Sequence, residues 1–179
     1  MKYFFYIFIL TICSSSYGQK GAKTTEHYNC IRKFNLTLKE RLQYYPFNVA
    51  TKIMLVSFTE TEENLFYKKD SIEISKFKET KTLSNEQIDS LTNLLYNIGV
   101  KGNVFKFTPA ACFFPRNAIL FLNSNEKVFE FIEICFECHR TATSSERIND
   151  GISCEQKFDL IRSYFRRQGI EYGVLDDSQ

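Results

Sequence analysis

Apolar residues recur every three or four positions in parts of this chain and every second position in others, which predicts a mixture of helices and strands. The first helical pattern is a set of residues four positions apart: Cys30, Phe34, Leu38 and Leu42. This spacing places the four side chains on one face and predicts a helix over residues 29–43.

Two further helices begin at capping boxes, in which a serine and a glutamine three positions later bond each other's backbone amides. One box is Ser-Asn-Glu-Gln at 84–87, and the apolar stripe behind it predicts a helix over 84–98. The other is Ser-Cys-Glu-Gln at 153–156, which predicts a helix over 154–168. Cys154 would then lie on the buried side of that helix's first turn.

Strand patterns occupy the segments between the helices. Residues 50–58, ATKIMLVSF, are dense in apolar and β-branched side chains and predict a buried strand. Residues 117–122 and 127–135 predict two more strands, joined by the polar turn NSNE as a β-hairpin. Both faces of this hairpin are largely apolar, so we expect it to be central, with helices packed on it.

These elements predict an α+β fold: an antiparallel sheet with a central β-hairpin at about 117–135, packed against about three helices. If the four residues NSNE close the turn, Leu120 faces Phe129, and Arg116 faces Glu133 as a pair of opposite charges.

The chain begins with a pattern typical of an export signal. Residues 1–18 carry an early lysine, an apolar run and a small-residue end, which predicts cleavage before Gln19 and a single domain over 19–179. Cys13 offers the alternative of a lipid-modified cysteine. The expected location is periplasmic or extracellular, with a lipoprotein anchored through Cys13 as the alternative.

The net charge and the hydropathy of the chain limit the classes of partner that we expect. The chain has 23 basic and 21 acidic residues, and loss of Lys2 with the signal leaves a net charge of +1. A dedicated nucleic-acid binder would show a concentrated basic stripe, so we expect no nucleic acid as a partner. We expect no transmembrane span after removal of the signal, because no later apolar run is long enough. Partner and ligand stay unknown at this point.

Export makes the cysteines informative, because neighbouring thiols in an oxidising compartment become disulfides. Cleavage before Gln19 leaves an odd number of cysteines, so at least one is outside an intrachain disulfide. They are Cys30, Cys112, Cys135, Cys138 and Cys154.

The hairpin register brings three of these cysteines together. Extended outward, it places Cys112 opposite the gap between Cys135 and Cys138. We expect Cys154 to be the next nearest, because its helix presents it inward, and Cys30 to lie apart. The favoured interpretation is a disulfide cluster that ties an irregular loop to the sheet.

Three alternatives use the same residues. A zinc ion would be held by Cys112, Cys135, Cys138 and Cys154, or by three of these and His139. The pentapeptide CFECH resembles the attachment motif of c-type cytochromes, in which Cys135 and Cys138 would bond haem and His139 would ligate iron. A dithiol centre at Cys135 and Cys138 is the third alternative, although no amphipathic helix follows it as in thioredoxin.

The segment CFFPRNAILFLNSNEKVFEFIEICFEC, residues 112–138, resembles a pattern in small exported proteins of Bacteroidota. In these, Cys-x-x-Pro-Arg leads into a hydrophobic strand and a second strand ends in Cys-Phe-x-Cys. The resemblance implies no assigned activity and no catalytic residue. It implies that the position of His139 is not fixed as histidine, and that relatives often carry histidine where this chain has Asn117.

Phosphate loops, helical histidine pairs and serine elbow motifs are missing from the sequence, so we predict no catalytic residues. The expected function is that of an exported non-enzymatic domain for binding or envelope structure, stabilised by the cysteine cluster and without a cofactor. The alternative is a periplasmic redox protein that uses Cys-x-x-Cys as a dithiol or as a haem attachment site.

Overall fold

The computed structural model describes residues 28–59, 72–101 and 112–174. These residues form an α+β fold with a five-stranded and a two-stranded antiparallel sheet, which confirms the predicted fold class. The predicted export signal at residues 1–18 and Cys13 lie outside the described residues. Within the described ranges, no helix is long and apolar enough to cross a membrane.

The elements follow one another in the chain as strands and helices that alternate irregularly. The strands are β1 (Cys30–Arg32), β2 (Lys52–Ser57), β3 (Glu79–Thr82), β4 (Ile98–Val100), β5 (Asn117–Leu122), β6 (Val128–Cys135) and β7 (Arg140–Thr143). The helices are α1 (Leu38–Arg41), α2 (Asn85–Tyr96) and α3 (Lys157–Arg167), with a 3₁₀ turn at Ile74–Lys76.

The five-stranded sheet has the order β3-β2-β5-β6-β7, and all its neighbours are antiparallel. Strand β5 is therefore in the middle, which confirms that the hairpin is central. Strand β2 confirms the buried strand predicted over 50–58. The small sheet pairs β1 with β4 in antiparallel orientation, with Cys30 opposite Val100 and Arg32 opposite Ile98.

One face of the five-stranded sheet carries the larger core. Alternate residues of β2, β5 and β6 point towards α2 and α3, because strand side chains alternate between faces. Each fully buried side chain of this kind contributes about 1.5–3 kcal/mol of transfer free energy. Members of this core include Leu55, Ile119, Phe121, Ile132 and Ile134 from the sheet and Leu91, Leu95, Ile161 and Phe165 from the helices.

The opposite face carries a second core. The described segment from Ile72 to Phe77 packs against it with partly buried side chains. Glu133 also points to this face, because it lies directly opposite Ala118, and it is fully buried. The sheet members of this core are Met54, Val56, Ala118, Leu120, Leu122 and Phe131.

The capping box predicted at the start of α2 is confirmed. The Ser84 hydroxyl accepts from the Gln87 amide at 3.4 Å, and the Gln87 side chain accepts from the Ser84 amide at 2.7 Å. The helix ends at Tyr96, two residues earlier than predicted, because the chain turns into β4. The Asn97 side chain fixes this exit: its oxygen accepts from the Leu36 amide at 2.8 Å and its nitrogen donates to the Leu36 carbonyl at 3.0 Å.

The second predicted capping box is wrong. Helix α3 begins at Lys157, and the residue before it makes no side-chain cap bond. The Gln156 side chain instead accepts from the Cys30 amide at 2.9 Å and donates to the Asn29 side chain at 2.9 Å. Glutamine cannot close a box with its own helix while it holds β1.

The helix predicted over 29–43 is also wrong. Its start is drawn into β1, where Cys30 pairs with Val100, and Phe34 is left 42% exposed. Helix α1 is a single turn whose capping box joins Thr37 and Glu40. The four-residue spacing of apolar positions was therefore coincidental, and pairing with a distant strand replaced the local helix.

The hairpin occurs where it was predicted, but its register is shifted by two residues. Leu120 faces Phe131 instead of Phe129, and Glu133 faces Ala118 instead of Arg116. The loop is wider than a four-residue turn because the Asn123 side chain accepts from the amides of Asn125 (2.9 Å) and Lys127 (3.1 Å). A register irregularity between Phe121 and Leu122 adds to the offset. An even shift keeps every side chain on its face, so the burial pattern is unaffected.

A buried lysine joins α3 to the end of α2. The Lys157 ammonium donates to the carbonyls of Leu94 at 2.5 Å, Leu95 at 3.0 Å and Ile98 at 2.8 Å. Carbonyls at a helix C-terminus lack intrahelical donors and attract positive charge, so this ammonium caps α2. Burial lowers the pKa of Lys157 to about 8, and the charge of Asp150 opposes this shift.

Candidate functional site

The cysteines of the hairpin meet at its open end, which we define as the three-cysteine site: Cys112, Cys135 and Cys138. Cys135 is the last residue of β6, and Cys138 lies in the four-residue loop between β6 and β7. Cys112 precedes β5 by five positions, so the antiparallel pairing of β5 and β6 returns it to the same end. The structure bonds Cys112 to Cys138, with their Cα atoms 5.9 Å apart.

Cys135 is the free cysteine among the described residues, and it is buried. Its sulfur accepts a hydrogen bond from the Cys138 amide at 3.3 Å. Because an N–Cα bond is about 1.46 Å, this contact leaves the Cys135 sulfur within about 5 Å of the Cys138 Cα. The buried thiol of Cys135 therefore lies close to the backbone of Cys138, one of the two cysteines of the disulfide.

Cys154 does not join this site, which corrects the predicted four-cysteine cluster. It forms a disulfide with Cys30, the residue expected to lie apart, and their Cα atoms are 5.0 Å apart. Pairing of β1 with β4 carries Cys30 to the start of α3, where the Glu155 amide donates to the Tyr28 carbonyl at 2.9 Å. This contact between distant parts of the chain has no signature in the local sequence.

The donor sets proposed for metal and haem do not fit this arrangement. Zinc would need the sulfurs of Cys112, Cys138 and Cys154 as thiolates, and all three are in disulfides. The described ranges also hold no group of three or more His, Cys, Asp or Glu side chains placed to bind a metal. Haem attachment would need the Cys138 sulfur, which is bonded to Cys112. The His139 ring stacks on Phe158, with centroids 5.4 Å apart and planes at 12°.

Positive side chains surround the three-cysteine site. Arg140 donates to the Cys112 carbonyl at 3.3 Å, and its guanidinium lies 5.3 Å from the centre of the Phe113 ring. Arg162 donates to the Phe136 carbonyl at 3.0 Å. Arg116, which was predicted to face Glu133, pairs with Glu137 in the loop between the cysteines. These arginines hold the ends of both strands and the loop in place, and two of them are also paired with carboxylates: Arg116 with Glu137 and Arg162 with Asp159 at 3.7 Å.

Exposure differs sharply among the three cysteines. Cys135 and Cys138 are 1% and 3% exposed, whereas Cys112 is half-buried. Two residues after Cys112, Phe114 is 59% exposed, the largest value among the exposed apolar side chains described. The site therefore has an interior side, formed by β6 and its loop, and a surface side, formed by the segment that carries Cys112.

A second polar cluster, which the sequence did not reveal, lies at the other end of β6. The Tyr45 hydroxyl donates to the Glu130 carboxylate at 2.7 Å, and the Ser144 hydroxyl bonds the other carboxylate oxygen. The Ser144 hydroxyl in turn accepts from the Phe131 amide at 2.8 Å, and the Arg147 guanidinium lies 4.0 Å above the Tyr45 ring. Burial and the Glu130 hydrogen bond raise the pKa of Tyr45 to about 12.

We define these residues, Tyr45, Glu130, Ser144 and Arg147, as the Glu130 cluster. Two hydroxyl donors satisfy the carboxylate, and the group links the β7 loop and the segment before β2 to the sheet. The signal in the sequence was a glutamate inside an apolar strand. Such a residue is buried only with partners, but the partners come from segments about 85 and 14 positions away.

No family model, curated protein or solved structure matches this chain. The function must therefore be inferred from the geometry of the molecule alone.

Proposed function

We propose that this protein is an exported, non-enzymatic domain that serves in binding or in envelope structure, and that its disulfides hold the fold rigid outside the cell's reducing interior. The observation that carries the proposal is the pair of disulfides. Cys30–Cys154 spans 124 positions and Cys112–Cys138 spans 26. Bonds of this kind persist in oxidising compartments, so the domain is suited to an oxidising environment outside the cytoplasm.

The rest of the described structure supports a scaffold more than a reaction centre. Two of its buried charged groups hold elements together: Lys157 caps α2, and Arg41 bonds the Leu36 carbonyl and the Asp89 carboxylate to hold α1 on α2. The Glu130 cluster holds two loops on the sheet. Each contact rigidifies a junction between elements, which is what a binding or structural domain requires.

Export is tested with the complete chain, expressed in a bacterium and separated into cytoplasmic, periplasmic, membrane and medium fractions. We expect the processed protein in the periplasm or the medium, with an N-terminus at Gln19. Its disulfides should be present without added oxidant. A chain that stays unprocessed in the cytoplasm with all thiols reduced would contradict the proposal.

A matched pair of variants separates ordinary export from a lipid anchor. Cys13→Ser removes the only atom that a lipid could modify there, and we expect its processing to match the unchanged protein. Gly18→Leu places a large residue where signal peptidases need a small one, and we expect it to block cleavage. Loss of processing in Cys13→Ser, with a lipid on the mature protein, would instead establish the lipoprotein alternative.

A further inference from the structure

The three-cysteine site holds two sulfur partners for one cysteine. Cys138 is bonded to Cys112, at a Cα separation of 5.9 Å, while the Cys135 sulfur contacts the Cys138 amide at 3.3 Å. Disulfides form between cysteines whose Cα atoms are no more than about 7 Å apart, and Cys-x-x-Cys loops meet this limit in dithiol proteins. Cys138 therefore has two alternative partners: Cys112 in the segment before β5, and Cys135 at the end of β6.

We propose that this site undergoes thiol–disulfide exchange, in which the free thiol moves from Cys135 to Cys112. The Cys135 thiol first gives its proton to solvent. The resulting thiolate attacks the Cys138 sulfur, a Cys135–Cys138 bond forms, and the Cys112–Cys138 bond breaks. Cys112 leaves as a thiolate and takes up a proton. One disulfide and one thiol are present before and after, so the step needs no oxidant or reductant.

The consequence of the exchange is a change in where the reactive thiol lies. Before it, the thiol belongs to Cys135, which is 1% exposed and cannot meet a large partner. After it, the thiol belongs to Cys112, which is half-buried and two residues from the exposed Phe114. The site thus converts a hidden thiol into one that a disulfide or thiol on another molecule can reach, an activity beyond the proposed scaffold function.

The surroundings favour a thiolate at the surface position. Arg140 places its guanidinium on the Cys112 backbone carbonyl and near the Phe113 ring. Positive charge next to a cysteine stabilises its thiolate, and a stable thiolate is a good leaving group. Glu137, the acidic residue inside the Cys-x-x-Cys loop, is paired with Arg116, which offsets its repulsion of a thiolate.

Tryptic peptides distinguish the two disulfides directly. Cys112 lies in the peptide 107–116, whereas Cys135 and Cys138 share the peptide 128–140. The Cys112–Cys138 bond therefore cross-links two peptides, and the Cys135–Cys138 bond lies inside one. Cys30 and Cys154 lie in the peptides 24–32 and 148–157, whose cross-link reports in the same spectrum that the domain is folded and oxidised.

The experiment treats the folded, oxidised, full domain with N-ethylmaleimide at about pH 8, where a thiol is partly ionised. The protein is then unfolded in excess reagent, digested and analysed by mass spectrometry. We expect the maleimide on peptide 107–116, with an internal disulfide in peptide 128–140. In the Cys135→Ser variant we expect no label on 107–116 and an intact cross-link, because the attacking thiol is missing.

Maleimide on Cys135 alone, with the cross-link to peptide 107–116 intact in the unchanged protein, would overturn the proposal. Equal labelling of Cys112 in Cys135→Ser would overturn it too, because exchange would then not depend on Cys135. A second variant guards against misfolding. Cys112→Ser should form the Cys135–Cys138 bond whenever the Cys30–Cys154 cross-link is present, and two free thiols in peptide 128–140 under that condition would refute the exchange.

Discussion

The two disulfides in the described part of the chain lie in different surroundings. Cys30–Cys154 joins β1 to the start of α3, and the side chain of Gln156 and the backbone of Glu155 bond the same junction. Cys112–Cys138 joins the segment before β5 to a hairpin loop and has the thiol of Cys135 beside it. The first bond is reinforced by backbone contacts, whereas the second has a competing partner.

The comparison teaches that a disulfide's neighbours decide what it can do. Both bonds close loops and restrict the unfolded chain, so both stabilise the fold. A thiolate beside a disulfide adds a reaction path, because exchange proceeds through attack on one of the two sulfurs. Cys30–Cys154, at the start of α3, therefore has no neighbouring thiol among the described residues with which to exchange, whereas Cys112–Cys138, at the hairpin end, has the thiol of Cys135.

Removal of each disulfide should separate the two regions most clearly. We expect Cys30→Ser with Cys154→Ser to lower the free energy of unfolding by about 5 kcal/mol, because the loop is long. The Cys112–Cys138 bond closes a shorter loop, so Cys112→Ser with Cys138→Ser should lower the free energy of unfolding by about 3.5 kcal/mol. Urea unfolding followed by circular dichroism measures both. A larger loss in the second variant would contradict the loop-length argument.

The buried lysine tests how far the α3 junction depends on contacts other than its disulfide. We expect Lys157→Met to lower the free energy of unfolding by about 3 kcal/mol, because two carbonyls at the end of α2 and the Ile98 carbonyl of β4 lose their donor. Lys76→Met is the matched control. Its ammonium is exposed and pairs with Glu73, so we expect a change below about 0.5 kcal/mol. Equal effects of the two substitutions would contradict the capping role.

The same lysine predicts a dependence on pH. Its pKa is lowered to about 8 in the folded protein, below the usual lysine value of 10.5. Between these values the unfolded chain binds the proton more tightly, so the lysine's contribution to stability rises as pH rises from 8 towards 10. The difference in unfolding free energy between the unchanged protein and Lys157→Met should therefore increase over this range. A constant difference would refute the lowered pKa.

The smallest expected effect lies in the Glu130 cluster, at the end of β6 opposite the three-cysteine site. We expect Tyr45→Phe to lower the free energy of unfolding by about 1.5 kcal/mol, because the buried carboxylate loses one donor. Tyr44→Phe, whose ring stacks on Tyr96 at 4.4 Å, is the control for removal of a tyrosine hydroxyl in the same segment. Urea unfolding at neutral pH distinguishes them, and no difference between the two would contradict the link.

The tyrosine also predicts a loss of stability in alkali. Its pKa is raised to about 12, from an ordinary 10.0. Between these values the folded protein holds a proton that the unfolded chain releases, so stability falls as pH rises through this range. Tyr45→Phe should show a shallower fall than the unchanged protein when unfolding is followed from pH 10 upward. An equal slope in both proteins would contradict the raised pKa.

Local sequence patterns were sufficient to predict the elements that are stabilised mainly by residues close to one another in the sequence. The apolar run at 50–58 became β2, the alternating segments became the central hairpin, and the capping box at Ser84 began α2. In each of these elements the propensity, the pattern and the cap agree, so the tertiary structure has no reason to override them. The three cysteines at the hairpin end also followed from this order, although the choice of Cys138 as the partner of Cys112 did not.

The tertiary structure decided the rest, because the competing contacts lie far apart in sequence. Pairing with β4 turned the start of the predicted first helix into β1 and brought Cys30 to Cys154, and Gln156 then left its own helix to bond β1. The shifted hairpin register came from a side-chain bond of Asn123 within the loop. A periodic pattern states which face of an element is apolar; only packing determines which distant backbone satisfies its hydrogen bonds.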